Sequence, residues 1–139
     1  MPSISFEFFP PKTDEQRAQL DRAAQVLKAH QPEYASVTFG AGGSTLSYTG
    51  DTVARLHAQH GLPVAPHLSC VGGTRAELAE VVDGDRAAGY RRIVALRGDM
   101  PSGMATAGDF RYAAELVRFI REHSGDHFHI EVAAYPETH

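Results

Sequence analysis

Two periods of hydrophobic patterning take turns along this chain. β-rich runs with period two begin near Ile4, Tyr34, Val64, Arg92 and His129. Between them, apolar residues recur three and four apart, as on one face of a helix. Thr13 and Gln16 have capping-box spacing, and Leu20, Ala24 and Leu27 follow at helical spacing. A second helix is expected from about Thr49 or Asp51 through Val53 and Leu56, ended by Gly61 and Pro63. Thr74 with Glu77 opens a third, whose apolar face carries Leu78, Val81 and Val82. Gly84 costs that helix about 1 kcal/mol relative to alanine and is a point where it can split. Asp109 is expected to N-cap a fourth helix bearing Tyr112, Leu116, Phe119 and Ile120, with Gly125 past its end.

The order β-α-β-α-β-α-β-α-β predicts an α/β protein with a parallel sheet and right-handed crossovers. An open doubly wound sheet and a closed (β/α)₈ barrel both satisfy it. Strand starts lie 28 to 37 residues apart, an even rhythm that suits a barrel of the TIM type. Eight such units need about 250 residues. This chain of 139 residues holds about four and a half, so residues 1–139 read as a single domain, a partial parallel (β/α) barrel. No linker or low-complexity run divides it.

The strands share a further pattern: polar residues collect late on one face. In Ile4-Ser5-Phe6-Glu7-Phe8-Phe9, alternation sets Ile4, Phe6 and Phe8 opposite Ser5, Glu7 and Phe9, and Pro10-Pro11 ends the run. A carboxylate among phenylalanines is costly to ionise, so the pKa of Glu7 is expected to rise, as suits a general acid near neutrality. Ser36 and Thr38 oppose Ala35, Val37 and Phe39. Ala65, His67 and Ser69 oppose Pro66, Leu68 and Cys70. The fourth strand ends in Leu96-Arg97-Gly98-Asp99, and the fifth runs into Tyr135-Pro136-Glu137-Thr138-His139. In parallel α/β proteins these carboxyl ends form the rim on which active sites are built.

Composition narrows the classes. Apolar residues make up 42% and charged residues 22%, ordinary for a globular domain rather than a disordered one. A net charge of −4 with scattered basic residues gives no footprint for nucleic acid. Cys70 is the one cysteine, which rules out an intrachain disulfide and fits a reducing compartment. No apolar run approaches the roughly 20 residues that cross a bilayer, and Met1-Pro2-Ser3 opens no signal peptide. The expectation is a cytoplasmic protein with no membrane partner.

Other motifs are weaker. Gly40-Ala41-Gly42-Gly43-Ser44-Thr45 fails G-x-G-x-x-G because position 45 is Thr, and it is no Walker A loop. It is either a plain turn or a loop whose amides approach an anion or a ring edge. Arg97-Gly98-Asp99 fits close backbone approach to a ligand at a strand end. His67 is either a ligand contact or a satisfied core histidine. His127 and His129 stand two apart, yet a solvated strand start accounts for them, and the eight histidines form no zinc spacing, so no metal site is assigned.

Five stretches together resemble the methylenetetrahydrofolate reductase family. They are Ser5-Phe6-Glu7-Phe8-Phe9-Pro10-Pro11-Lys12, Val37-Thr38-Phe39-Gly40-Ala41-Gly42-Gly43-Ser44-Thr45, Pro66-His67-Leu68-Ser69-Cys70, Ala95-Leu96-Arg97-Gly98-Asp99 and Ala133-Ala134-Tyr135-Pro136-Glu137-Thr138-His139. They occur in family order and spacing. The resemblance implies a (β/α)₈ barrel that binds FAD at its strand ends and uses NADH or NADPH to reduce 5,10-methylenetetrahydrofolate to 5-methyltetrahydrofolate. It implies catalytic roles for Glu7, as the acid that protonates the departing folate nitrogen, and for Asp99, beside the flavin and folate rings. It implies FAD contacts at Thr38, His67, Leu96, Arg97, Gly98, Asp99, Tyr112, Ala113, Tyr135 and His139.

The family barrel needs roughly twice this length. The chain is therefore expected to be a fragment, a truncated gene product or one piece of a split protein. Two readings follow: a flavin-dependent folate reductase that is incomplete alone, or a non-catalytic half-barrel that self-associates as a homo-oligomer or complements a second polypeptide. An unrelated lyase barrel using Glu7 and His67 ranks last, because neither Lys12 nor Lys28 sits at a strand end to form a Schiff base.

Overall fold

A computed structural model describes residues 2–39, 45–70, 73–98 and 108–137. The expected order is present: β1 (Ser5–Phe8), α1 (Asp14–Lys28), β2 (Tyr34–Val37), α2 (Thr45–Ala58), β3 (Val64–Ser69), α3 (Arg75–Ala87), β4 (Arg92–Leu96), α4 (Ala113–Ser124) and β5 (His129–Val132). Strands alternate with helices and the strand pairings are parallel, which is the α/β class expected of consecutive (β/α) barrel units. The chain falls into two compact units, Met1–His67 and Leu68–His139.

In the first unit, β1 pairs with β2 and β2 with β3. Glu7 stands opposite Ser36, and Ser36 opposite Ala65. Thr13 caps α1, its hydroxyl accepting the Gln16 N–H at 3.1 Å, while the Gln16 side chain accepts the Lys12 N–H. Leu20 and Ala24 are buried on α1, as are Val53 and Leu56 on α2. Each large apolar side chain so covered contributes about 1.5–3 kcal/mol. Asp21 ties the two helices, accepting bonds from the Arg55 guanidinium and the His60 ring. The Arg55 bond holds its carboxyl well below the usual carboxylate range.

Helix α2 begins at Thr45, earlier than the expected Thr49 or Asp51. Thr49 is no cap: its hydroxyl reaches out of the helix to the Thr38 carbonyl at 2.9 Å. Thr52 bonds back to the Tyr48 carbonyl in the same helix. Both threonines carry cap-like side chains inside a helix, which hides the true start from a propensity argument.

In the second unit, β4 pairs with β5, Arg92 facing His129 and Val94 facing Glu131. The core gathers Leu68, Cys70, Leu78, Val82, Ile93, Ala95, Phe110, Leu116, Phe119, Ile120 and Phe128. The Thr74–Glu77 box caps α3 in both directions. Gly84 does not split that helix, which runs unbroken to Ala87. Gly125 ends α4 at a φ of 59°, as expected. The α4 start differs. Its N-cap is Tyr112, and the Glu115 carboxylate accepts the Arg111 and Tyr112 N–H groups. Asp109 instead accepts the Arg75 N–H at 2.7 Å and so caps α3. The expected cap role was right in kind and wrong in helix, because a carboxylate satisfies any nearby helix start.

Candidate active site

In the first unit, β1 ends at the Pro10-Pro11 pair, and the pleat turns Phe8 inward (7% exposed) and Glu7 to the other face. The phenylalanines do not enclose the carboxylate as expected. Phe9 is 73% exposed, and the Glu7 side chain is 53% exposed. What Glu7 has instead is a partner. Its Oε1 lies 3.2 Å from Nε2 of His67, whose side chain is only 9% exposed. Burial pulls the His67 pKa down, against the opposing pull of the Glu7 carboxylate. The ring is therefore held neutral where a free histidine would take up a proton.

The pleat explains the meeting. Ala65 is in register with Ser36 and through it with Glu7, and His67 is the next residue on the same face of β3. Ser36, buried between them on β2, keeps that face polar. Thr38 is fixed by its backbone: its N–H donates to the Phe8 carbonyl at 3.0 Å and its carbonyl accepts from Thr49. The sequence marked Glu7 and His67 separately. Their pairing required the register across three strands, which the shared period-two face of β1, β2 and β3 contains once those strands are known to be neighbours.

In the second unit, β4 ends in a fixed turn. The Cys70 N–H donates to the Leu96 carbonyl at 3.0 Å, and Ser69 donates to the Arg97 carbonyl at 3.4 Å. Gly98 has a φ of 77°, a left-handed conformation that a side chain would strain. Arg97 is exposed. Tyr112, at the start of α4, is 60% exposed and Tyr135 is 62% exposed; Ala113 is half-buried. Burial raises the Cys70 thiol to about 11, so it is no thiolate nucleophile near neutrality. His127 accepts from Arg91 and donates to the Tyr90 carbonyl, and His129 pairs with Glu131. Among the described residues no cluster of metal-ligating side chains forms, and no helix is long and apolar enough to cross a membrane. Asp99, His139 and the glycine run 40–44 lie outside the described residues.

Exposed Arg97, the Gly98 turn and exposed Tyr135 thus lie at strand ends, and exposed Tyr112 at the start of α4. The family model described as Methylenetetrahydrofolate reductase matches residues 1–139. The 5,10-methylenetetrahydrofolate reductase of Salmonella typhimurium is 40% identical over 137 residues, covering 99% of this chain and 45% of the relative. A probable methylenetetrahydrofolate reductase (NADH) of Oryza sativa is 37% identical over 140 residues, covering 98% of this chain and 24% of the relative. Methylenetetrahydrofolate reductase 2 of Saccharomyces cerevisiae is 36% identical over 144 residues, covering 99% and 24%. The chain thus spans less than half the length of these relatives, and it belongs to the methylenetetrahydrofolate reductase family.

Proposed function

We propose that this chain carries the proton-donating part, and a share of the FAD-binding part, of a reductase that converts 5,10-methylenetetrahydrofolate to 5-methyltetrahydrofolate with NADH or NADPH. The observation that supports this most is the Glu7–His67 pair at 3.2 Å, an open carboxylate backed by a buried imidazole. Burial makes the charged imidazole costly, so His67 backs the carboxylate as a neutral hydrogen-bond partner. Glu7 is the exposed member of the pair, the one that a substrate nitrogen can reach for proton transfer.

FAD, bound at the strand ends, would supply the hydride. The family resemblance offers it Thr38, His67, Leu96, Arg97, Gly98, Asp99, Tyr112, Ala113, Tyr135 and His139. Arg97 would pair with the diphosphate through charge-assisted bonds. Tyr112 and Tyr135 would offer rings for stacking. Asp99 would keep a negative charge near the flavin and folate rings.

The test is Glu7→Gln in the flavin-loaded protein. Folate reduction should fall by at least a hundredfold, the usual weight of a general acid, while NAD(P)H oxidation by an artificial acceptor persists. Equal loss of both half-reactions would make Glu7 structural. A chain that quenches no flavin fluorescence on titration would remove autonomous FAD binding.

A second reading rests on a separate observation. Ile4 and Phe9 near the edge strand β1, and Val132 on β5, are 47%, 73% and 57% exposed. Open strand edges with apolar side chains invite pairing with another chain. A homo-oligomer, or a complementing half-barrel, would cover them. Light scattering that finds a monomer at every concentration would exclude the homo-oligomer.

A further inference from the structure

The strongest unassigned feature is the seam between the start of α3 and the residues that lead into α4. Gly108 lies flush against Cys70 and Gly73, past the end of β3. At a φ of 82° it leaves room for no side chain, since a Cβ there would stand 2.7 Å from the Gly73 carbonyl oxygen and 3.1 Å from that of Cys70. Asp109 continues the contact in two ways. Its N–H reaches the Gly73 carbonyl at 3.4 Å, and its carboxylate accepts the Arg75 N–H at 2.7 Å. Phe110 is then buried, and the Arg75 guanidinium lies 4.9 Å from its ring centre and 5.3 Å from that of Phe119. Arg111 and Tyr112 are fastened next by the Glu115 carboxylate.

The seam joins residues 34 apart in sequence at a helix start whose own capping box is complete. The box pairs the Thr74 and Glu77 N–H groups, and the Asp109 carboxylate takes the Arg75 N–H between them. The same bond fixes the backbone of residues 108–111, and Tyr112 and Ala113 come next. We propose that Asp109 is a positioning residue for the cofactor: by capping α3 from a distance it sets where Tyr112 and Ala113 stand. This rests on the flavin reading above. Asp109 touches no reacting atom in this role. It acts through the chain that it holds.

The test compares Asp109→Ala with Asp109→Asn, which keeps an oxygen acceptor for the Arg75 N–H. Two readouts are needed: amide hydrogen exchange along the chain, and FAD affinity from flavin fluorescence. Asp109→Ala should speed exchange in residues 73–77 and 108–113 together, and weaken FAD, each about tenfold, the size of one lost cap bond. Exchange in residues 116–120 should not change, and Asp109→Asn should restore both values. Exchange unchanged in 108–113 would overturn the proposal. So would acceleration spread evenly over α4, which marks general destabilisation, or looser exchange with unchanged FAD affinity. If the unaltered chain binds no FAD, the flavin reading fails and the positioning role fails with it, while the exchange arm still reports whether the seam holds.

Discussion

Each unit of the molecule contains a titratable group that burial pushes toward its neutral form, and the two differ in what they face. His67 in the first unit is held below its usual range by burial, yet a carboxylate stands 3.2 Å away. Asp85 in the second, half-buried on α3, is raised to about 7 by desolvation, with no other cause contributing. A displaced pKa alone would nominate both as functional. Geometry separates them. His67 is at the carboxyl end of a strand, on the polar face that carries Glu7, whereas Asp85 sits near the end of a helix whose neighbour Tyr90 is buried. Desolvation marks cost. Desolvation beside a chemical partner marks a candidate site.

Replacing His67 tests the first half of that contrast. His67→Leu fills the space and removes the partner, so at saturating FAD, which offsets any loss of its cofactor contact, folate reduction should fall about ten- to a hundredfold and the NAD(P)H half-reaction much less. His67→Gln keeps a polar group toward Glu7 and should recover part of the loss while flattening the pH profile. Asp85→Leu should leave both half-reactions unchanged. If His67→Leu reduces flavin without reducing folate any more slowly than the unaltered protein, the pair is structural and the contrast collapses.

The two groups also tilt stability in opposite directions with pH. Unfolded Asp85 ionises near 3.8, but in the fold it keeps its proton to about 7. The folded state binds more protons across that window, so stability falls as pH rises from about 4 to 7, by at most about 1.4 kcal/mol per pH unit. His67 acts the other way. Its folded pKa lies below 6.5, so its contribution is present above pH 6.5 and is lost as pH falls below it. Asp85→Asn should therefore raise the melting temperature at pH 7 and leave it unchanged at pH 4. A gain of equal size at both pH values would mean that packing, not ionisation, governs the site.

Why the fold was more legible than the site follows from the same residues. Periodicity is local, so Tyr34, Val64, Arg92 and His129 were readable as strand starts, and Thr13 and Thr74 as caps, from a few neighbours each. Asp109 had the right chemistry for a cap, but its target lay 34 residues away and no local rule could select it. The Glu7–His67 contact spans 60 positions and depends on β2 lying between the two strands. The expected enclosure of Glu7 failed for a related reason: alternation tells which face a side chain takes, not whether anything covers that face, and Phe9 turned outward.

The smallest effect should come from an ion pair that resembles the Glu7–His67 contact on paper. His123 Nε2 lies 2.8 Å from Asp83 Oδ1, shorter than the 3.2 Å of the site pair, and it links α4 to α3. The pair is more open, however: the His123 side chain is 30% exposed against 9% for His67, and that of Asp83 66% against 53% for Glu7. Water and salt screen such pairs, and holding two mobile side chains together offsets most of the attraction. Asp83→Asn should move the melting temperature by less than about 2 °C and leave both half-reactions intact. A larger shift, or a loss of folate reduction as great as that expected of His67→Leu, would show that distance, not burial, ranks these contacts, and the distinction between the two units would then rest on nothing but their strand ends.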